Sequence, residues 1–361
     1  MKKIVQNILL LCISSLLILL VLEWISRLSF KQMYPHVTDE SGAIVSMQRE
    51  VGRPEEGLRP NFKGRLQSGE YNTEIRLDSL GFRSPVRKGV GLNGSPVRIV
   101  LLGDSYMFGW GVDLEKSFAG YLAEELSQRW RRPVEISNLA IPGTGQFTQL
   151  KLLRAIPAIN PHLVISGLYV IDYAASGNDL IDNMNDYYSL RKALPSDDLS
   201  EKVDWPRKVR RLLKRHSSLY RFIETRLGAI LLAKFSGAMN VQRDVAGMNR
   251  AWQITDSLLV EINNETALKN ARLVLQYIPN MLDFTRRDNQ VYERLKRTAD
   301  ANQIAIAPNP IGIIPANDPN FDVGRYYYLV DGHWTSEAHR QCALAMANFI
   351  VMMPAPGENI H

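Results

Sequence analysis

Residues 99–112 read IVLLGDSYMFGWGV: four apolar residues run straight into Gly103, Asp104 and Ser105, and glycines then alternate with aromatics. A largely apolar run beginning at Val97 is the pattern of a strand buried on both faces of a parallel sheet. In such sheets ligands bind beyond the carboxyl ends of the strands. A small hydroxyl residue at that point is therefore either a turn residue or a nucleophile, and the rest of the chain has to decide which.

Downstream the rhythm repeats. A helix carries Phe118, Tyr121, Leu122 and Leu126 on one face, followed by the strand VEISNLA (134–140), a turn at Pro142-Gly143 and a helix through Leu150 and Leu153. The strand HLVISGLYV (162–170) closes that repeat. The pattern resumes with a helix around Trp252 to Lys269, the strand RLVLQYI (272–278), a helix from Gln290 to Asn302, the short strand IAIAP (304–308) and a last helix from Ser336 to Val351. Alternating strands and helices predict an α/β fold on a parallel sheet with right-handed crossovers. From about 178 to 245 the strand rhythm stops, which reads as an insertion of loops and helices within one domain at 97–353.

Upstream, residues 31–96 are polar and turn-rich and read as a linker with an accessory strand region. Within SGEYNTEIRLDSLGFRS (68–84), Tyr71, Thr73, Ile75 and Leu77 alternate with polar residues, the period of a half-exposed strand. The first 30 residues read as a membrane anchor. Lys2 and Lys3 precede a span from Ile4 to Leu22 interrupted only by Gln6, Asn7 and two serines. Its nineteen residues would cover roughly 28 Å as a helix, against a hydrocarbon core of roughly 30 Å. A cleaved signal peptide is the competing reading; Glu23, Trp24 and Arg27 follow the span where a small-residue cleavage site would be needed. The basic amino terminus favours a single-pass orientation with the body outside the cytoplasm, periplasmic or extracellular.

The formal charge of +6 does not point to nucleic acid, because it is local. Residues 202–226 hold nine Lys and Arg against Asp204 and Glu224, an excess of +7 that leaves the rest of the chain at −1. Val209, Leu212, Leu213, Leu219, Phe222 and Ile223 recur there at helical spacing. That segment is either a solvated helix covering the core or an interfacial helix on anionic lipid. The two cysteines, Cys12 and Cys342, form neither a disulfide framework nor a zinc or redox motif. No metal or organic cofactor is expected.

Several strand ends carry the residues that acyl chemistry needs. Gly103-Asp104-Ser105 ends one, Asn138 and the PGTG turn (142–145) end or follow the next, and Asp172 follows the third. Just before the last helix, YLVDGHWTSEAHR (328–340) places Asp331 and His333 two residues apart. A serine hydroxyl attacks only when a base takes its proton, and a histidine base works best with a carboxylate fixing its tautomer. Glycine at 143 would let a backbone N–H approach a developing oxyanion.

Taken together, LLGDSYMFGWGV, SNLAIPGTGQ and DGHWTSEAH, in that order, resemble the GDSL/SGNH hydrolase superfamily, nearest to membrane-anchored bacterial members with a GFRS-type strand upstream. The resemblance covers about Tyr71 to Val351, with the insertion poorly matched. It implies a flavodoxin-like three-layer α/β/α fold and a serine esterase or acyltransferase working through a seryl-acyl intermediate. It also implies Ser105 as nucleophile and oxyanion donor, Gly143 as second donor, His333 as base and Asp331 as the acid orienting it.

Two departures stand out. Asp331 and His333 are spaced as in D-x-H-W forms, one residue tighter than in many members. The register of the family's third oxyanion donor, an asparagine, falls on Ile171; Asn178, seven residues later in a Gly-Asn-Asp sequence, is the substitute candidate. A catalytically silent carbohydrate-binding or envelope-assembly module is the rival reading, and Ile171 is what favours it. An acyl ester, small or on an envelope glycan or lipid, is the expected substrate. Of the remaining polar and aromatic residues, Asp104 reads as a hydrogen-bonding turn residue rather than a second acid, Asn138 as a structural hydrogen-bonder near the site, and Phe108 and Trp110 as packing rather than a substrate cage. His339 reads as a surface or packing histidine, and Thr335 and Ser336 as the cap of the last helix. Asp172 is assigned no chemistry.

Overall fold

In the computed structural model of the chain, the apolar run at 99–102 belongs to a six-stranded sheet. The structure describes residues 2–30, 35–48, 57–83, 85–155, 159–170, 179–180, 182–184, 217, 219, 245–313 and 321–353. The chain forms two compact units, one of residues 1–34 and 195–243, the other of 35–194 and 244–361.

In the first unit, α1 (Lys2–Phe30) is a single 29-residue helix. Its apolar side chains are open to the surroundings: Leu16, Leu17, Ile18, Leu19, Leu20 and Trp24 are each more than half exposed. The Glu23 carboxylate accepts the Ser217 hydroxyl at 2.8 Å and the Leu219 N–H at 3.0 Å. Among the described residues, no helix is long and apolar enough to cross a membrane.

The second unit begins with an antiparallel sheet of β1 (His36–Asp39), β2 (Ile44–Val45), β3 (Lys63–Gln67) and β4 (Asn72–Arg76), in the order β2-β1-β3-β4. The period-2 pattern accounts for β4, where Thr73 and Ile75 point inward and their neighbours outward. The other strands of this sheet are too short, or too rich in Gly and Lys, to show an alternation.

The main sheet holds β5 (Val86–Lys88), β6 (Val97–Leu102), β7 (Val134–Asn138), β8 (Leu163–Tyr169), β9 (Arg272–Ile278) and β10 (Ala305–Ile306), ordered β10-β9-β8-β6-β7-β5. Five strands are parallel, in the 2-1-3-4-5 order of flavodoxin-like sheets. The sheet is nevertheless mixed, because β5 pairs antiparallel with β7 at the edge, an addition the sequence pattern does not reveal. Strands β6, β8 and β9 are buried nearly throughout, as their apolar runs require.

Helices cover both faces. The crossover helices are α3 (Phe118–Trp130), α4 (Gln146–Ala155), α5 (Val245–Leu268) and α7 (Gln290–Ala301), with the four-residue α2 (Ser105–Phe108) right after β6. Helices α6 (Met281–Arg286) and α8 (Pro310–Ile313) are short, and α9 (Ser336–Met352) ends the fold. Helix α3 packs with α9, and α4 with α5. In α3 the face made by Phe118, Ala119, Leu122, Ala123 and Leu126 is buried, and Ser117 caps its first turn by accepting the Gly120 N–H. This topology brings the carboxyl ends of β6 and β8 side by side at the switch point, where such sheets bind ligands.

Candidate active site

The chain turns sharply between β6 and α2, and glycine makes the turn possible. A Cβ on Gly103 would lie 2.4 Å from Met107 Cγ, so any larger residue would collide with the helix it introduces. Asp104 is the N-cap of α2: its buried carboxylate accepts the Tyr106 N–H at 2.9 Å. Gly109 closes the helix in the left-handed region, φ +82°. Ser105 is thus the first residue of a capped helical turn at the strand end.

A buried cation braces this turn from outside. Arg83, only 1% exposed, donates to the carbonyls of Phe108, Gly109, Val112 and Glu74 at 2.7–3.2 Å. Burial pushes its guanidinium down to about 10. Four carbonyl acceptors stand in for a carboxylate partner, so the charge is solvated by backbone dipoles.

The loop before α9 supplies the facing groups. The Ser105 hydroxyl lies 2.7 Å from His333 Nε2, and His333 Nδ1 lies 3.0 Å from Asp331 Oδ2. The loop is a tight reversal in which the Gly332 N–H donates to the Tyr328 carbonyl (2.7 Å) and the Tyr328 N–H to the His333 carbonyl (2.9 Å). Gly332, φ +84°, occupies the one position in that reversal that strongly favours glycine. The D-G-H spacing therefore suffices to aim both side chains at one point.

Sequence reasoning missed a second group of residues here. The end of the β3–β4 hairpin reaches the same loop: the Tyr71 hydroxyl donates to Asp331 Oδ2 at 2.8 Å, and Trp110 Nε1–H donates to Tyr71 Oη at 2.9 Å. The Glu70 carboxylate accepts the Val330 and Asp331 N–H groups at 3.0 and 2.9 Å. The alternation that marks Tyr71 as inward-facing was visible, but a contact across 260 residues has no local signal. Burial and the Asp331 carboxylate push the Tyr71 phenol well above its ordinary range, so it stays a donor.

Ser105, Gly143, His333, Tyr169, Asp179 and Asp182 share a cavity of about 300 Å³. Gly143, φ +75°, lines it with open space where a side chain would stand. Asp179 is 1% exposed and is held by Gln146 Nε2 and by the Tyr169 N–H, the latter at 3.2 Å. Burial, then the neighbouring Asp104 carboxylate, pushes Asp179 well above the usual carboxylate range, and burial raises Asp104 to about 6. Among the described residues, no cluster of three or more His, Cys, Asp or Glu side chains is arranged to hold a metal ion.

The other sequence candidates fall as follows. Asn138 is fully buried; it donates to the Met107 carbonyl and accepts the Ala140 N–H, tying the β7 exit to α2. Phe108 is core, while Trp110 is half-buried with its ring 5.8 Å from that of His333. His339 is not at the surface: it is 1% exposed, accepts the Phe118 N–H and meets Trp334 edge-on. Thr335 sits at the cap of α9 but makes no side-chain cap bond; its hydroxyl goes to the Arg325 carbonyl instead. Cys342 is a buried free thiol. Asn178, Ile171 and Asp172 lie outside the described residues, as does the basic segment 202–226 except for Ser217 and Leu219.

No protein-family model matches the chain, and no curated protein matches it. Similar solved structures exist. The crystal structure of TesA is 12% identical, covering 70% of this chain and 97% of that one, with a TM-score of 0.39. Axe2, an acetylxylan esterase from Geobacillus stearothermophilus, is 13% identical, covering 71% and 94%, at 0.39. A GDSL-like lipase from Bacteroides thetaiotaomicron is 10% identical, covering 72% and 92%, at 0.36.

Proposed function

We propose that this chain is a serine ester hydrolase of the GDSL/SGNH type. The observation that carries the reading is the continuous run Ser105 Oγ, His333 Nε2, His333 Nδ1, Asp331 Oδ2, with steps of 2.7 and 3.0 Å, opening on the cavity. His333 Nε2 takes the hydroxyl proton as Ser105 Oγ attacks the ester carbonyl. Asp331 holds Nδ1–H and stabilises the imidazolium. The proton then passes to the departing alkoxide, leaving a seryl-acyl intermediate that water, or a second hydroxyl in a transfer reaction, resolves through the same base. The Ser105 and Gly143 N–H groups are assigned to the oxyanion. Asn178 is assigned as third donor, supported by its chain neighbour Asp179 lining the cavity.

The substrate reading is a short acyl ester on a polyhydroxylated acceptor. A cavity of about 300 Å³ has room for a short acyl group, and Asp179 and Asp182 in its lining offer hydrogen bonds to a hydroxylated acceptor. The single-pass anchor, with this unit outside the cytoplasm, rests on the apolar sequence from Ile4 to Leu22 alone; on that reading an O-acylated envelope glycan or lipid is the natural acceptor. The test is hydrolysis of p-nitrophenyl acetate by the wild type and by Ser105→Ala. A wild-type rate lost in a folded variant supports the reading, and an undiminished rate contradicts it.

A further inference from the structure

We propose that Tyr71, carried by the N-terminal antiparallel sheet, is a positioning residue that holds the Asp331 carboxylate by donating to the oxygen that also faces His333, with Trp110 fixing the Tyr71 hydroxyl as that donor. This rests on the serine-hydrolase reading of the same site and adds a part of the protein outside the parallel-sheet domain to its machinery.

The argument is one of donors and acceptors. An indole N–H can only donate. Trp110 Nε1–H points at Tyr71 Oη from 2.9 Å, so the Tyr71 oxygen is the acceptor in that bond. Its own proton goes to Asp331 Oδ2, at 2.8 Å, a carboxylate oxygen that can only accept. That oxygen also faces His333 Nδ1 at 3.0 Å, and a carboxylate can only accept, so the imidazole donates to it as well. His333 therefore carries its proton on Nδ1 and presents a lone pair on Nε2 to Ser105, the tautomer a general base needs. Two donor runs thus converge on the Asp331 carboxylate, from Trp110 through Tyr71 on one side and from Ser105 through His333 on the other.

Rigidity comes from the same hairpin. Glu70, adjacent to Tyr71, clasps the backbone N–H groups of Val330 and Asp331, so the acid is held by side chain and main chain together. The Tyr71 ring packs against Tyr328 at 4.8 Å between centroids, and the Tyr328 hydroxyl donates to the Gly111 carbonyl. The fold thus places Trp110 and Gly111, just after the nucleophile helix, in contact with the hairpin that holds the acid.

Removing the Tyr71 donor has a signed consequence. A hydrogen bond donated to the carboxylate spreads its charge; without it, Asp331 attracts the imidazole proton more strongly. The titratable and charged groups facing His333 are Asp331 on its own loop, Asp104 and Tyr106 at the strand-helix turn, and Tyr71 on the hairpin. His339 faces it from α9, and Asp179 and Asp182 from across the cavity. Only Tyr71 changes in the substitution below.

The experiment uses the full-length chain and Tyr71→Phe, which keeps the ring. Expected with p-nitrophenyl acetate is about a tenfold fall in kcat with KM nearly unchanged, as for one hydrogen bond to a charged group. The acidic limb of the kcat/KM profile moves to higher pH. Trp110→Phe moves both in the same direction by less, and the double variant is no worse than Tyr71→Phe alone, because Trp110 acts through Tyr71. A second readout needs no turnover: the low-field proton resonance of His333 Nδ1–H moves further downfield in Tyr71→Phe. A wild type without esterase activity would overturn the hydrolase reading and leave this resonance to decide the relay. An unmoved resonance or acidic limb, or additive losses in the double variant, overturns the role of Tyr71.

Discussion

The Tyr106 hydroxyl donates to the Gly332 carbonyl at 2.9 Å, across 226 residues of sequence. Tyr106 follows the serine, and Gly332 stands between the acid and the histidine, so one bond links the two halves of the site. The Tyr106 ring also lies 4.8 Å from that of His333 and meets Trp334 edge-on. Tyr106→Phe keeps these ring contacts and removes the link. The expected result is a several-fold fall in kcat and a stability loss of about 1 kcal/mol in urea melts, the usual worth of one such bond.

Arg83 governs whether the nucleophile turn forms at all. Replacing it by Met leaves the carbonyls of Phe108, Gly109, Val112 and Glu74 without their donor in a buried place. A loss of about 3 kcal/mol or more is expected, with activity falling because α2 loses its brace. Arg83→Lys should recover only part of this, since one ammonium cannot reach four carbonyls. Thermal melts of the three proteins, with esterase assays at a temperature where all are folded, check both points.

These two arginine and tyrosine contacts show where the sequence was legible. The run from Val97 to Leu102, the DGH loop and the order of elements each carry a local pattern, so the parallel strands and Ser105, Gly143, Asp331 and His333 could be read from them, whereas Tyr169, Asp179 and Asp182 in the same cavity could not. Contacts between distant segments leave no such trace. Tyr71 looked only like a strand residue, and nothing local marked Arg83, because their partners are carbonyls and side chains in other segments of the chain. His339 stayed undecided between surface and packing for the same reason: what buries it is Trp334 on one side and the start of α3 on the other. Strand β5 was invisible because three residues are too few for a period.

Acid stability should reveal two buried groups working against each other. Burial pushes His339 down from 6.5 to about 3, so between those values the unfolded chain holds the extra proton and falling pH destabilises the fold. Burial raises Asp104 from 3.8 to about 6, so there the folded chain holds the extra proton; this stabilising contribution grows as pH falls through 6. His339→Asn removes the first and keeps the second. Its stability relative to wild type should improve by on the order of 2 kcal/mol between about pH 7.5 and about pH 4.5, read by urea melts at both. An unchanged difference would mean that His339 is not buried as a neutral group.

Asn178 is the proposed third oxyanion donor, and its bond would strengthen only as charge develops. Asn178→Ala should therefore lower kcat by a factor on the order of 10² with little change in KM. Wild-type turnover in that variant would remove Asn178 from the site and leave the oxyanion to backbone donors.

The anchor proposal predicts that the mature chain keeps its first helix and stays with membranes after alkaline carbonate washing. An amino terminus mapped beyond Glu23 by mass spectrometry would identify a cleaved signal peptide instead.

The central claim is that Ser105 is a nucleophile activated by His333 and Asp331, and covalent labelling tests it most directly. The purified full-length protein, treated with a fluorophosphonate and digested for mass spectrometry, should carry one adduct, on the peptide containing Ser105. His333→Ala should slow labelling by orders of magnitude, and Ser105→Ala should abolish it. No adduct on a folded wild-type protein, or an adduct that persists in Ser105→Ala, would contradict the account.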